Sequence, residues 1–181
     1  MSAPHLRRPA DEELRREWGT VGDNEVRLDP EAAAAVIEDV NRCLSGLYIL
    51  FNQLRKRYWT VEGAESRQIE QRWEAQADRL SDLTDELAIR VHALGGVPVN
   101  GPMGIREHAP MRIEGGDVYA LRDGLSSDLD GYATLAVTFR EAIETAREVG
   151  DERTAEELEE GLLTIEQDAH TVERYLADDS L

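Results

Sequence analysis

Glu70, Glu74, Asp78 and Asp85 follow one another at spacings of four, four and seven. On an α-helix those steps drift by only about 40° per four residues and return about 20° per seven, so the carboxylates form one row. The row lies off the apolar stripe of the same segment, Ile69, Trp73, Leu80, Leu83, Leu87, Val91 and Leu94. Such a row is either a solvated acidic face or, at a subunit contact, a surface for a hard or borderline cation. Glu166, His170 and Glu173 are spaced i, i+4, i+7 and share a helix face. They are a metal-site candidate set against the plainer reading of a surface histidine among solvated acids. Asp151, Glu152 and Glu156 open the last helical segment, where acids suit the positive end of the helix dipole and where a negative field also attracts cations.

Other chemistry is excluded by spacing. A metal pair inside a helical bundle calls for Glu-x-x-His, which places both ligands on one metal. The residues three before His5, His92, His108 and His170 are Ser2, Ile89, Ile105 and Gln167, so that motif is absent. The sequence has no Walker loop, GxGxxG motif or CxxC pair, and no supported Ser-His-Asp set. Cys43 is the only cysteine and stands in an apolar helical pattern, which reads as a small core residue and rules out an internal disulfide. His92 and His108 lie beside loops and read as structural.

These side chains need elements to position them, and the composition allows a real core. The chain has 181 residues, 41% of them hydrophobic, which favours one domain. Its 38 acidic residues against 20 basic ones give a formal charge of −18, and Lys56 is the only lysine. That charge repels nucleic acid and anionic membrane. It suits cation binding, or concentrated salt in which screening relieves self-repulsion. Abundant acid with almost no lysine is the composition of a haloarchaeal proteome; a plain acidic bacterial protein is the alternative. No apolar run reaches the roughly 18 residues of a membrane span, and no apolar signal core opens the chain, so a cytoplasmic protein is expected.

Residues 1–28 show no steady periodicity and form a partly flexible arm of mixed charge: either DEELRREW (11–18) makes two helical turns and docks through Trp18, or the arm is a tail. The bundle domain is expected over 29–181. Asp29, Pro30 and Glu31 start a first long helix running to about Trp59, with Val36, Ile37, Val40, Leu44, Leu47, Tyr48, Phe51 and Leu54 inward. A second covers about 65–94 and ends at Gly95-Gly96. A Gly- and Pro-rich crossover follows over 96–116, with room for one short helical turn at GIREHAP. A third helix is expected from about Asp117 to Val149, with Val118, Leu121, Leu125, Leu129, Tyr132, Phe139, Ile143 and Ala146 inward. A fourth follows from about Asp151 to Ala177, with Ala155, Leu158, Leu162, Ile165, Ala169, Val172 and Leu176 inward. Two helices, a long crossover and two more helices predict an all-α, ferritin-like four-helix bundle.

The run FNQLRKRYWTVEGAESRQIEQRWEAQADRLSDLTDELAIRVHALGG resembles the Dps proteins, the twelve-subunit mini-ferritins. That family shows a histidine followed by Trp-Asn-x-x-Gly, a second histidine and an acid on the second helix, an Asp-x-x-x-Glu, then Leu-Gly-Gly. The likeness continues through GDVYALRDGLSSDLDGYA and GDERTAEELEEGLLTIEQDAHTVERYLADDSL, covers about 30–181, and in its closing segment looks most like haloarchaeal members. The resemblance implies a cytoplasmic dodecamer built from dimers that binds and stores iron or serves in oxidative-stress protection. It also implies a ferroxidase centre shared between two subunits, one giving two histidines and an acid, the other an Asp and a Glu.

Matched residue by residue, this chain departs from that pattern. The first histidine position is Tyr58, ahead of a retained Trp59, and the second is Glu70. The neighbouring acid is Glu74, the Asp is retained as Asp85, and the Glu position is Ile89. The expectation is therefore a Dps-like subunit whose standard centre is lost or strongly altered. Glu70, Glu74 and Asp85, with the Tyr58 phenol, would make an all-oxygen site suited to Mg, Ca, Mn or Fe(III). The competing reading pairs these acids with Arg55, Lys56, Arg57 or Arg72 across the dimer. In the family, Asp151, Glu152 and Glu156 would lie near acidic three-fold pores. Two further functions stay open: a structural or interaction protein without redox chemistry, and a ferroxidase with relocated ligands. DNA binding is expected to be unlikely, because the arm is not net basic and the terminal LADDSL is acidic.

Overall fold

A computed structural model of the chain describes residues 10–63, 66–112 and 114–177. Among the described residues five α-helices run in order: α1 (Pro30–Thr60), α2 (Ser66–Ala93), α3 (Pro102–His108), α4 (Leu121–Glu148) and α5 (Glu152–Leu176). α1 starts where a capping residue meets a proline: the Asp29 carboxylate accepts from the amides of Glu31 and Ala32 at 3.0 and 3.3 Å. α5 starts similarly, with Asp151 accepting from the amide of Thr154 at 3.2 Å.

The four long helices form a square. α1 packs on α2 and α4, and α5 packs on α4 and α2, so α2 and α4 face each other diagonally across the bundle axis. The short α3 lies against α1 within the crossover. Leu44, Leu47, Leu50 and Leu54 of α1, Leu80 and Leu87 of α2, Leu135 and Phe139 of α4, and Leu158 and Ile165 of α5 are fully enclosed. Cys43 is enclosed with them, and burial pushes its thiol pKa far up, which keeps it protonated and inert. Among the described residues no helix is long and apolar enough to cross a membrane.

The all-α bundle with a short crossover helix is as expected from the sequence, but two elements differ. The arm makes only a short 3-10 turn at Asp11–Glu13 rather than two helical turns. Trp18 does dock, edge-on to the His108 ring at 5.5 Å, and Arg16 Nη1 donates to the Gly96 carbonyl at 3.2 Å. The third long helix begins at Leu121, not Asp117, and Val118 is 64% exposed rather than inward. The reason is Lys56. Its ammonium donates to the carbonyls of Gly115 and Asp117, both at 2.9 Å, which holds the chain extended until Ala120.

The second long helix ends at Gly95, whose φ of +90° favours glycine, and the Gly96 amide donates back to the Val91 carbonyl at 3.0 Å. A Cβ at Gly95 would stand 2.3 Å from the Gly22 carbonyl oxygen of the arm. Gly95→Ala should therefore combine left-handed strain with a backbone clash and cost about 1–3 kcal/mol. Chemical denaturation would measure that loss, and limited proteolysis should show the arm released from the corner.

Candidate functional site

Tyr58 is half-buried near the end of α1, its ring edge-on to Trp59 at 5.7 Å. Glu70, Glu74, Asp78 and Asp85 are all exposed on α2, as a row off the apolar stripe should be, and Ile89 is 71% exposed beside them. Glu70 and Asp85 are separated by fifteen residues of one helix, about 22 Å at the helical rise. They cannot meet on one ion within a subunit. Among the described residues, no three His, Cys, Asp or Glu side chains of one chain converge on a metal position. An Asp85 can meet Glu70 and Glu74 only if it comes from a second copy of the chain. The donor set would then be carboxylate oxygens, the chemistry of hard cations.

The cations of the competing reading are largely committed elsewhere. Lys56 pairs with Glu114, and Arg57 pairs with Glu114 and Asp128, so both are spent within the subunit. Arg55 stacks on Trp59, its guanidinium carbon 4.7 Å from the ring centre, and on Phe51 at 5.3 Å. The other two groups are placed as follows. Glu166, His170 and Glu173 are exposed; Glu166 pairs with Arg140 at 2.5 Å and His170 Nδ1 lies 3.4 Å from Glu173. Asp151 is 7% exposed, caps α5 and pairs with Arg90 at 2.7 Å within the subunit. Glu152 and Glu156 remain exposed.

Sequence reasoning missed the interior. Asp128 is wholly buried on α4, where both its oxygens accept from Arg57 Nε at 2.8 and 2.9 Å. Gln53 Nε2 donates to it at 2.7 Å and Trp73 Nε1 at 3.0 Å. Burial lifts the Asp128 carboxyl above its ordinary range, against the pull of Arg57 and its other donors. Further along the axis, Arg79 grips the buried carboxylate of Asp168. A cleft of about 590 Å³ opens beside this network, with Lys56, Arg57, Trp59, Trp73, Tyr119 and Gly124 among its walls. A Cβ at Gly124 would come within 3.0–3.3 Å of the Arg57 guanidinium, so a side chain there must push that group aside by a few tenths of an ångström. Among the described residues the buried carboxylates Asp128, Asp151 and Asp168 are each paired with an arginine, which leaves no free pair of inward acids for a metal centre of the bundle-core type.

A signal for this existed in the pattern. Leu125, Asp128 and Tyr132 share the inward stripe of α4, as do Trp73, Gln76 and Leu80 on α2 and Ile165, Asp168 and Val172 on α5. A polar residue at a core position must find a partner, and Arg57, three residues after the enclosed Leu54, is one such partner.

Glu114 carries a pH prediction. Burial alone would raise its carboxyl, but the Lys56 hydrogen bond and the Arg57 charge win and hold it below its ordinary value. A folded pKa below the unfolded one contributes stability above about pH 4.5, the ordinary carboxyl value, and that contribution disappears as pH falls through the folded pKa. The crossover should loosen at acid pH, measured as a lower hydrogen-exchange protection factor, relative to the intrinsic rate at each pH, for the Gly124 amide that donates to the Ala120 carbonyl, and Glu114→Gln should flatten the dependence.

The carboxylate row facing outward, the diagonal bundle and the long crossover define a ferritin-like protein, and the ferritin-like domain matches residues 37–181. The DNA protection during starvation protein of Halobacterium salinarum is 39% identical over 160 residues, 88% of each chain. The nutrient stress-induced DNA-binding protein of a Synechococcus species is 29% identical, over 93% of this chain and 96% of its own. The crystal structure of an archaeal Dps homologue from Halobacterium salinarum superposes with a TM-score of 0.90 at 38% identity, covering 94% of this chain and 96% of that one. DpsC from Streptomyces coelicolor gives 0.88 at 28% identity, covering 93% and 99%. This chain belongs to the ferritin-like family and within it is a Dps-like mini-ferritin.

Proposed function

We propose that the chain is the subunit of a Dps-like homo-oligomer, a shell of twelve built from dimers, that binds and stores iron while its inter-subunit ferroxidase centre is strongly altered. The observation that carries this is the outward row Glu70, Glu74 and Asp85, too widely spaced to serve one ion in a single chain. Two-fold pairing would bring Glu70 and Glu74 of one subunit against Asp85 of the next, with Tyr58 at the margin. Ile89 supports the contact, being a large apolar side chain left 71% exposed on the same helix. It also sits where the resemblance has a ligating Glu, and it contributes no donor. Iron is the cargo in this reading, and an all-carboxylate site holds Fe(III), Mg, Ca or Mn better than it oxidises Fe(II).

Light scattering of the purified protein in high salt should give a mass near twelve subunits; a monomer or dimer would refute the shell. A crystal soaked in iron should show an anomalous peak at the iron edge between α2 helices of neighbouring subunits. A peak instead on Glu166, His170 and Glu173 would establish relocated ligands.

A second reading, a structural or interaction protein without redox chemistry, draws on the same Ile89 substitution; an absence of any bound iron after loading would favour it. Two of the relatives are named for DNA. This chain's formal charge of −18 opposes that role, and the proposal is that it does not shift duplex DNA even in low salt, where attraction to phosphate would be strongest.

A further inference from the structure

Two side-chain polar atoms at the centre of the bundle have no hydrogen-bond partner within the described residues: Gln76 Oε1 on α2 and the Tyr132 hydroxyl on α4. Both residues are 0% exposed. Neither atom is free to turn outward, and an unpaired buried polar group is costly.

The surrounding groups are already committed. Gln76 Nε2 donates to the Asp168 carbonyl at 3.4 Å, which fixes the amide so that Oε1 points elsewhere. The Asp168 carboxylate is taken by Arg79, and Asp128 by Arg57, Gln53 and Trp73. Tyr132 lies within the field of both Asp168 and Asp128, and its burial and those charges keep the phenol protonated. It is therefore a donor in need of an acceptor, and Gln76 Oε1 is an acceptor in need of a donor. α2 and α4 are diagonal partners in the square of helices, so these two residues approach the bundle axis from opposite sides.

We infer that one internal water molecule is bound on the bundle axis as a structural ligand, accepting from Tyr132 Oη and donating to Gln76 Oε1. Its second hydrogen is directed toward the acidic groups of Asp128 or Asp168. A buried water is held by two to four polar partners, and this setting supplies them. A metal cation is disfavoured, because each nearby carboxylate already has its own guanidinium. The water adds a second link between α2 and α4, one turn along both helices from the bond that Trp73 already makes to Asp128.

The test is a crystal structure of the wild-type protein at about 1.5 Å or better. The expected result is one peak with the scattering of a water oxygen, about 2.7–3.2 Å from both Gln76 Oε1 and Tyr132 Oη. A direct contact of the tyrosine hydroxyl with Gln76 or with a carboxylate, and no peak, would overturn the inference. So would a peak with anomalous signal and five or six oxygen neighbours, which marks a cation. Tyr132→Phe and Gln76→Leu give a second readout: the double variant should lose less in Tm than the two singles added together, and strictly additive losses count against a shared ligand.

Discussion

Replacing Arg57 by methionine is expected to cost the fold about 3–5 kcal/mol, because it leaves a buried carboxylate without its counter-charge. Asp128 is wholly enclosed and Arg57 is 5% exposed, so water cannot take over the lost interaction. Methionine keeps most of the stem volume, which separates the charge effect from cavity formation. Gln53 and Trp73 would still donate to Asp128, but neither brings positive charge. The carboxyl is already raised by burial, and without Arg57 it would rise further and take up a proton. The variant should consequently be least impaired at acid pH, where that proton is easily supplied. Asp128→Asn in the same background removes the charge and keeps an acceptor for Trp73 and Gln53, so the double variant should be more stable than Arg57→Met alone. Urea unfolding at fixed protein concentration measures all three. A loss below about 1 kcal/mol for Arg57→Met is the value of an exposed ion pair, and it would refute the closed network described above.

The second large effect concerns iron. Wild-type protein mixed with Fe(II) in air should oxidise it little faster than buffer, because the proposed site offers carboxylates and a phenol where the family resemblance has two imidazoles and a further Glu. Tyr58→His, Glu70→His and Ile89→Glu together should raise the rate by about 10-fold or more, since ligand-shell changes of this kind commonly shift metal affinity or activity 10–100-fold. Glu70 and Ile89 are exposed, and only the half-buried Tyr58 packs against the core. The absorbance of the ferric product follows the rate, and light scattering on the same samples shows whether assembly is preserved. Oxidation by the wild type well above the control would overturn the claim of an altered centre. No gain in the triple variant, with assembly intact, would mean that the α2 faces of two subunits do not meet there.

How much of this was legible can be judged from particular residues. The apolar stripes Val36 to Leu54 and Ile69 to Leu94 located two helices to within a residue or two, because burial on one face imposes a 3.6-residue period. Asp29-Pro30 and Gly95-Gly96 marked their ends through local capping chemistry. The start of α4 was not legible, because Asp117 is a good capping residue and only a lysine some sixty positions earlier overrides it. The partner of Asp151 was not legible for the same kind of reason. The arginine that claims it is far away in the chain, at position 90.

The sequence by itself determined the helix count, the faces the helices bury, the family, and the types of donor that stand at Tyr58, Glu70, Glu74, Asp85 and Ile89. Those follow from local periodicity and residue identity. Only the tertiary structure decided which charges are spent inside. Arg57, Lys56 and Arg79 looked equivalent to the other surface cations until Asp128, Glu114 and Asp168 were brought to them from α4, the crossover and α5. Partner choice depends on distances between segments remote in sequence, and a buried charge accepts only the partner that the packing delivers.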